Sequence, residues 1–249
     1  MIKRAVVLAA GRGTRMGEAT SGTPKPMLPV RGRPMLEHVL EALAGAGVER
    51  FLVVVGYRRE MIERHFRQWR LPIEFRVQHP VDGTGSATRL ARKFVGEAPF
   101  LLTFGDIVCG APDFARCAGV FDRYPATAAV LGVRDVDDPW RGAAVYVEDG
   151  KIRRVIEKPP IGTSTTRWNS AGVFALRPAV FPYLDRLELS PRNEYELTAI
   201  FDRMLQDNLE LRISAIEGPW RDVGRPEDLA ALDGGADAPP VRGRPLGRP

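Results

Sequence analysis

A basic, glycine-rich segment directly after the first predicted strand contains the residue types that bind phosphate. Gly11 and Gly13 follow the apolar run Arg4–Ala9, and Arg15 and Lys25 come next, the lysine between two prolines. Glycines let a chain turn tightly and bring backbone amides close to phosphate oxygens. A guanidinium and an ammonium on a proline-stiffened loop suit an anionic transition state, where one well-placed donor contributes roughly 3–4 kcal/mol. The segment therefore predicts a phosphate site, against the alternative of a solvated basic loop with turn glycines.

Neither of two common phosphate-binding motifs fits this spacing. The dinucleotide fingerprint requires a third glycine where Met16 stands. The ATP-binding P-loop requires a glycine followed five residues later by Gly-Lys, and the segment lacks that pattern. The predicted phosphate site is therefore of another kind.

Polar residues that could bind a base or a metal follow other predicted strands. Gln78 offers a donor and an acceptor to a base edge, and Gly83 would let the backbone approach a flat ring. The amide can present either face, so this pattern leaves cytosine open. Asp106 follows a buried strand, and its carboxylate is a hard oxygen ligand of the kind that Mg²⁺ prefers. A lone aspartate is more often simply solvated.

The positive charge is concentrated in short segments. The formal net charge is +5, of which residues 11–33 contribute +4 and residues 234–249 contribute +2, so the remaining body is nearly neutral. The arginines between residues 58 and 70 alternate with Glu60 and Glu63, which predicts a solvated helix face. The charge therefore favours an anionic small substrate over nucleic acid or a membrane surface.

The cysteines and the apolar runs indicate a cytoplasmic protein. Cys109 and Cys117 are too few to staple 249 residues, and we expect two buried thiols. The apolar run at residues 5–10 meets Gly-Arg-Gly in place of a cleavage site, and no run approaches the roughly 18 residues of a spanning helix. We therefore expect neither a targeting segment nor a membrane anchor.

Strand and helix patterns alternate through the first half of the chain and change in the second. The alternation predicts a mostly parallel sheet with helices on both faces and with ligands at the carboxyl ends of its strands. Predicted strands in the first half are Arg4–Ala9, Phe51–Val55, Ile73–Val77, Phe100–Thr103 and 126–133, and the helices are 35–46, 60–66, 84–94 and 113–121. The second half predicts a hairpin at 143–148 and 151–156 through Asp149-Gly150, strands at 172–175 and 209–216, and helices at 194–206 and 226–232.

The motifs, in their order, resemble those of sugar-1-phosphate nucleotidyltransferases. Gly-x-Gly-Thr-Arg-Met at residues 11–16 and Pro-Lys-Pro-Met-Leu-Pro-Val at residues 24–30 form the first, and four later motifs follow over roughly residues 3–232. The chain is similar to glucose-1-phosphate uridylyl- and thymidylyltransferases and to the pyrophosphorylase domain of N-acetylglucosamine-1-phosphate uridyltransferases. The resemblance implies a Rossmann-like, three-layer α/β/α fold with a mixed, mostly parallel sheet. We expect a domain over residues 1–233, with a nucleotide half at 1–110 and a sugar-phosphate half at 111–233, and a flexible tail at 234–249.

The same resemblance implies a role for each matching residue. The catalytic residues would be Arg15, Lys25 and Lys158. Nucleotide contacts would come from Leu8, Ala10, Gly11, Gly13, Thr14, Gln78, Gly83 and Thr84. Sugar hydroxyls would meet Gly142, Glu157 and Asn169, and Mg²⁺ would be held by Asp106 and Asp222.

The expected reaction joins UTP or dTTP to a sugar 1-phosphate, most simply a hexose such as glucose 1-phosphate, with release of pyrophosphate. Guanylyl or cytidylyl transfer to a heptose or mannose phosphate is the alternative within this class, and a regulatory homologue that binds nucleotide sugars without turnover is the alternative outside it. Arg141 stands where the family has an aromatic residue, and Trp168 directly precedes Asn169, so the sugar stays open. We expect no nucleic-acid or membrane partner, and a homo-oligomer is possible.

Overall fold

The computed structural model describes residues 1–137 and 139–233 of the chain. The strands in this part are β1 (Arg4–Ala9), β2 (Pro29–Val30), β3 (Arg33–Pro34), β4 (Arg50–Val55), β5 (Ile73–Val77), β6 (Phe100–Phe104), β7 (Ile107–Cys109), β8 (Ala129–Asp135), β9 (Ala143–Glu148), β10 (Lys151–Glu157), β11 (Trp168–Leu176), β12 (Leu211–Ala215) and β13 (Trp220–Asp222). The α-helices are α1 (Met35–Gly45), α2 (Arg59–His65), α3 (Thr84–Arg89), α4 (Arg92–Val95), α5 (Ala111–Arg123), α6 (Phe181–Asp185), α7 (Ala199–Gln206) and α8 (Pro226–Asp233). The predicted tail at 234–249 lies outside the described residues.

Nine of these strands form one mixed sheet in the described part of the chain. Their spatial order is β5-β4-β1-β6-β11-β8-β12-β10-β9. β1 is parallel to β4 and β6, β4 is parallel to β5, and β8 is parallel to β12. β10 and β11 run antiparallel to the strands beside them, so the other seven strands share one direction. The predicted mixed, mostly parallel sheet is confirmed.

Helices cover both faces of the sheet, as the continuous apolar composition of the central strands predicts. In β1, Val6 and Leu8 point into one core, and Val7 and Ala9 point into the other. The first core lies under α3, α4, α6 and α7, and the second lies under α1, α2 and α5. A strand buried on both faces needs apolar side chains at every position, which is why β1 lacks the alternation of a half-exposed strand.

The carboxyl ends of the parallel strands lie at one edge of the sheet, and this edge gathers the predicted site residues. The loops that follow β1, β4, β5 and β6 all emerge there. Because β11 runs in the opposite direction, its first residues, Trp168 and Asn169, reach the same edge beside the end of β8. Open α/β sheets bind ligands at this edge.

The end of the described chain returns to the glycine-rich loop (residues 10–28). β13 forms a two-stranded antiparallel ladder with β7, which starts just after Asp106. A small apolar cluster joins the loop, α1 and the segment after β13 through Met16, Leu28, Met35 and Val223. These contacts hold both sides of the candidate site.

Two predicted helices differ from the structure. The helix expected from residue 194 begins at Ala199, because the Tyr195 backbone bonds instead to the loop after β5: its N–H donates to Asp82 O and its carbonyl accepts from Gly85 N. The helix expected at 84–94 is divided into α3 and α4, and Leu90 and Ala91 make the shorter bonds to residues three positions back.

Two other predictions, the hairpin and the buried thiols, are confirmed. The hairpin of β9 and β10 turns through Asp149 and Gly150, both at positive φ. Cys109 and Cys117 are buried free thiols. Across residues 1–137 and 139–233, no helix combines the length and apolar character that a bilayer span requires.

Candidate active site

Lys25 is the centre of the glycine-rich loop, and glycines on two sides make room for it. Gly13 has φ +67°, and a Cβ there would lie 2.8 Å from Lys25 Cβ. Gly105 similarly accommodates Pro26, which would lie 3.2 Å from an added Cβ. The Lys25–Pro26 pair therefore packs between two backbone segments that any larger side chain would push apart.

Lys25 reaches the end of β6. Its Nζ lies 2.5 Å from Asp106 Oδ2, and the lysine side chain is only 8% exposed. An ammonium has three donors, so two of them remain for phosphate oxygens after this contact. The ion pair joins the loop after β1 to the loop after β6, which are two of the predicted ligand-binding positions.

Asp222 is brought beside Asp106 by the backbone. Val223 N donates to Asp106 O at 3.0 Å, and Asp222 stands opposite Ile107 in the β7–β13 ladder. Protein atoms packed around the carboxyl group, and then the negative charge of Asp106, raise the pKa of Asp222 to about 6. The residue is nevertheless accessible to solvent. Lys25 and Arg15 oppose this shift. Two close carboxylates with open positions are a donor set that suits a hard divalent cation.

These two carboxylates do not belong to a larger ligand cluster. Among the described residues, no group of three or more His, Cys, Asp or Glu side chains could hold a metal. A cation here would therefore take its other ligands from substrate oxygens and water, as Mg²⁺ commonly does with phosphate substrates.

The remaining predicted residues of the glycine-rich loop are open to solvent or serve the backbone. Gly11, Thr14 and Arg15 are exposed, and an added Cβ on Gly11 would meet nothing within 4 Å. The carbonyl of Leu8 accepts from Gly105 N, and that of Ala10 accepts from Tyr57 N. Their contacts with a nucleotide stay predictions.

Tyr57 supports the glycine-rich loop, a role that the sequence did not indicate. It follows β4, and its hydroxyl donates to Ser21 O at 2.9 Å and approaches Thr20 O at 3.5 Å. The Arg12 and Arg58 guanidinium carbons lie 5.8 and 5.7 Å from the centre of its ring. The ring thus lies beside two guanidinium groups, and the hydroxyl holds the loop at Thr20 and Ser21.

Gln78 is buried at the end of β5 and organises the loop that follows it. Its Nε2 donates to Gly83 O at 2.9 Å and to Ser86 Oγ at 2.8 Å. Among the described contacts its Oε1 receives no hydrogen bond, so this oxygen is the acceptor left for a ligand. The predicted base contact of Gln78 would then be made through a carbonyl.

The segment before α7 closes this loop from outside. Gly83 has φ +128°, and a Cβ there would come within 2.6 Å of Tyr195 N. Thr84 Oγ1 accepts from Leu197 N at 3.0 Å. The hydroxyl that was predicted to contact the nucleotide is therefore already hydrogen-bonded within the protein. Sequence analysis missed this packing because it predicted that the helix begins at residue 194.

Glu157 is the last residue of β10 and Lys158 follows it, both within the predicted sugar half. Glu157 accepts from Arg192 Nη2 at 3.2 Å and from Thr198 Oγ1 at 2.9 Å. Lys158 is exposed, and its backbone N–H donates to Gly142 O at 3.0 Å, which brings these two predicted residues together. Sequence analysis missed Arg192 and Thr198, which lie far from β10 along the chain.

Asn169 lies on the other face of the sheet from Glu157. Glu157 is paired with Ala143, whereas Asn169 is paired with Ala144, and successive residues of a strand point to opposite faces. Asn169 Nδ2 donates to Pro139 O at 2.6 Å. The structure therefore does not bring these two predicted sugar residues to one face.

Asn169 is instead close to Gly142. A Cβ on Gly142 would lie 2.5 Å from Asn169 Oδ1, so the glycine is what allows this approach. Ser170 and Trp168 are the residues at this end of β11 that share the Glu157 face. A strand register that only the structure reveals was needed to find them.

Comparison with known proteins places these features in a family. Residues 4–234 match the family model described as nucleotidyl transferase. The bifunctional protein GlmU of Methanococcus maripaludis is 31% identical over 230 residues, which cover 92% of this chain and 53% of that protein. Mannose-1-phosphate guanyltransferase beta-A of Xenopus laevis is 34% identical over 237 residues, covering 91% and 62%. The chain thus spans little more than half the length of the curated relatives it matches.

Solved structures support the fold. A UDP-glucose pyrophosphorylase in complex with UDP-glucose superposes with a TM-score of 0.84 at 21% identity, covering 94% of this chain and 98% of that one. The UDP-glucose pyrophosphorylase of Acinetobacter baumanii gives a TM-score of 0.78 at 23% identity, covering 94% and 92%. The three-layer α/β/α arrangement is therefore shared with proteins of this kind.

Proposed function

Since this chain belongs to the family of sugar-1-phosphate nucleotidyltransferases, we propose that it transfers UMP or dTMP from UTP or dTTP to a hexose 1-phosphate such as glucose 1-phosphate. The observation that supports this most directly is the ion pair between buried Lys25 and half-buried Asp106, with Asp222 beside it at the ligand-binding edge of the sheet. A non-catalytic relative would have no need of a buried ammonium held next to two carboxylates.

The reaction is an in-line displacement at phosphorus. An oxygen of the sugar 1-phosphate forms a bond to the α-phosphorus of the nucleotide while the bond from that phosphorus to the bridging oxygen breaks, and pyrophosphate leaves with the electron pair. The nucleophile is already an anion, so no general base is required, and catalysis consists of positioning and charge stabilisation. Arg15 is proposed to stabilise the leaving pyrophosphate, while Lys25 and Lys158 hold the reacting phosphates.

Asp106 and Asp222 would hold Mg²⁺ in this proposal, since their oxygens suit a hard cation that keeps phosphate and water ligands. When bound, the ion supplies positive charge that neutralises phosphate oxygens. Gly142, Glu157 and Asn169 are proposed to contact a sugar that lies across the strand ends, since Glu157 and Asn169 face opposite sides of the sheet. With nucleoside triphosphates as substrates, the cytoplasm is the proposed location.

Guanylyl transfer is the second candidate, because the 34% identical Xenopus protein bears that activity in its name. The base is read in part by Gln78, whose free Oε1 would accept a hydrogen bond from an N–H of the base. Uracil, thymine and guanine offer a ring N–H, and adenine and cytosine offer an exocyclic N–H, so this contact alone does not choose the base.

The proposal is tested by pyrophosphate release. The four ribonucleoside triphosphates and dTTP, each with glucose, mannose and N-acetylglucosamine 1-phosphates and with Mg²⁺, form the grid. We expect release to peak with UTP or dTTP and a hexose 1-phosphate. Inactivity over the whole grid would overturn transfer to these hexose 1-phosphates, and a peak with GTP would replace the uridylyl or thymidylyl assignment by the second candidate.

A pair of matched variants separates the site from general effects. Asp106→Asn should reduce turnover by about 10²-fold or more, as loss of a preorganised charge does. Asp122→Asn alters a carboxylate that is 71% exposed at the far end of α5, and it should leave turnover unchanged. Equal rates in the two variants would contradict the role of Asp106.

A further inference from the structure

Arg134 is a partly buried arginine whose N–H groups find no acceptor among the described residues. It lies near the end of β8, and its guanidinium stacks 4.5 Å from the centre of the Trp220 ring. Its Nε is fully enclosed and has no hydrogen-bond partner. Burial and then the charge of Arg221 lower the pKa of Arg134. A buried donor without a partner costs stability, so the arrangement requires a reason.

Arg221 has the same deficiency at a neighbouring position. It lies between Trp220 and Asp222 in β13, and its Nε is also enclosed without a partner. Its closest carboxylate oxygen, on Asp228, is 3.8 Å away, which is beyond hydrogen-bond distance. The two guanidinium groups thus repel each other, and among the described residues neither has a carboxylate within hydrogen-bond distance.

Another arginine of the same fold shows what a structural role looks like. Arg177, at the opposite end of β11, also stacks on an aromatic ring, with its guanidinium 4.5 Å from the centre of Phe121. Its Nε donates to Thr127 O at 2.9 Å and its Nη2 donates to Pro125 O at 3.1 Å. Arg134 has the same stacking distance and none of these bonds, so its geometry is not explained by packing alone.

The arginine pair borders the sugar half of the candidate site. Arg134 is the register partner of Asn169, so their side chains lie on one face of the sheet. Trp220, which supports Arg134, donates its indole N–H to Ala171 O of the same strand. Arg221 directly precedes Asp222. One member of the pair is therefore the cross-strand neighbour of the proposed sugar residue, and the other is the sequence neighbour of the proposed metal ligand.

We propose that Arg134 and Arg221 bind an anionic substituent of the sugar, so that the preferred sugar 1-phosphate has a second negative group, a carboxylate or a second phosphate. Guanidinium groups bind both oxyanions through paired N–H donors, and an incoming anion would bind the Nη groups, which are not enclosed as the two Nε atoms are, and offset the repulsion between the two cations. This assignment rests on the proposed function and specifies the class of its substrate.

Binding is measured first, because it does not depend on turnover. The probes are glucose 1-phosphate, glucuronic acid 1-phosphate, glucose 1,6-bisphosphate and inorganic phosphate. Their binding is measured by calorimetry and by the shift in melting temperature. We expect at least one of the two acidic sugars to bind about 10- to 100-fold more tightly than glucose 1-phosphate, as charge-assisted hydrogen bonds allow, and the tighter one identifies the oxyanion. Equal binding of all three sugars, or protection by inorganic phosphate equal to that by the acidic sugars, would overturn the proposal.

Variants assign the preference to the pair. Arg134→Met should abolish the preference for the acidic sugar and lower the melting temperature less than Arg177→Met does, because it loses the stacking on Trp220 but no hydrogen bond. Arg177→Met, the matched control, should lower the melting temperature and retain the preference. A preference that survives in both Arg134→Met and Arg221→Met would overturn the assignment, as would an Arg134→Met variant that loses affinity for the nucleotide instead.

Steady-state kinetics distinguishes the anion-site proposal from the proposed transferase function. In the pyrophosphate assay the Arg134→Met variant should lose the preference in KM for the acidic sugar while its KM for the nucleotide is unchanged. If no combination of substrates releases pyrophosphate, the proposed function fails, and the binding preference and its loss in Arg134→Met still decide whether the pair is an anion site.

Discussion

Lys25 Nζ and Asp106 Oδ2 lie 2.5 Å apart, and this contact connects the glycine-rich loop to the end of β6. The two residues are far apart in the sequence, and each follows a central strand of the parallel part of the sheet. Their contact places a positive charge next to the Asp106 and Asp222 carboxylates. The apo site is therefore partly neutralised before any substrate or cation arrives.

Removal of Lys25 should impair both stability and turnover. Lys25→Met leaves Asp106 and Asp222 close together without the ammonium, and we expect a loss of about 1–3 kcal/mol in the free energy of unfolding. Turnover should fall about 10²- to 10³-fold. Added Mg²⁺ should raise the melting temperature of the variant more than that of the wild type. A cation effect of the same size in both proteins would refute the neutralising role of Lys25.

Loss of the Tyr57 hydroxyl should loosen the glycine-rich loop. Tyr57→Phe removes the bond to Ser21 O while the ring stays between Arg12 and Arg58. One hydrogen bond is worth about 1 kcal/mol, so amide hydrogen exchange within residues 14–23 should accelerate about fivefold. Tyr183→Phe, which loses a 2.7 Å bond to Asp207 elsewhere on the surface, is the control. Unchanged exchange in the loop would show that Tyr57 does not hold it.

Stability at low pH should depend on Glu210. Contacts with Arg212, Lys151 and Thr127 lower the pKa of Glu210 to about 2. Its contribution is complete above the ordinary carboxyl pKa near 4.5 and disappears as the pH falls towards 2. Glu210→Gln should lower the melting temperature at pH 7, and the two proteins should converge at about pH 2–3. A difference that persists undiminished at pH 2.5 would contradict this linkage.

The thiols should be unreactive in the folded protein. Burial raises the pKa of Cys109 and of Cys117 to about 12, so both stay protonated and enclosed at pH 8. A thiol reagent such as dithionitrobenzoate should label neither residue in the native state and both in 6 M guanidinium. Rapid labelling of one native thiol would indicate that α5 or β7 opens locally.

The strands and the position of Asp106 at a strand end were predictable, and the contacts between distant loops were not. β1 and Asp106 follow from local pattern, since a buried apolar run predicts a strand and a carboxylate after it predicts a ligand. The segment from 194 to 198 has the composition of a helix start, yet the Tyr195 backbone bonds to the loop after β5. Local propensity could not foresee this, because a tertiary partner replaced the helical hydrogen bonds.

The sugar half shows the same limit. Glu157 and Asn169 are both polar residues at strand ends, and only the register of β9 against β10 and β11 reveals that they face opposite sides. Arg134 resembles any charged residue near the end of a strand. Its neighbours, Arg221 and Trp220, lie more than eighty residues further along the chain. The local sequence therefore does not show that Arg134 lacks a hydrogen-bond acceptor.

The bond from Val223 N to Asp106 O bears on how the protein is made. Lys25, Asp106 and Asp222 come from the beginning, the middle and the end of the described chain, so a nascent chain on the ribosome lacks this group of one ammonium and two carboxylates until β13 has emerged. Contacts of such long range form late and slowly. Partly synthesised or truncated molecules would thus present the basic loop without its acidic counterpart, and only a molecule that includes residue 222 could complete the site.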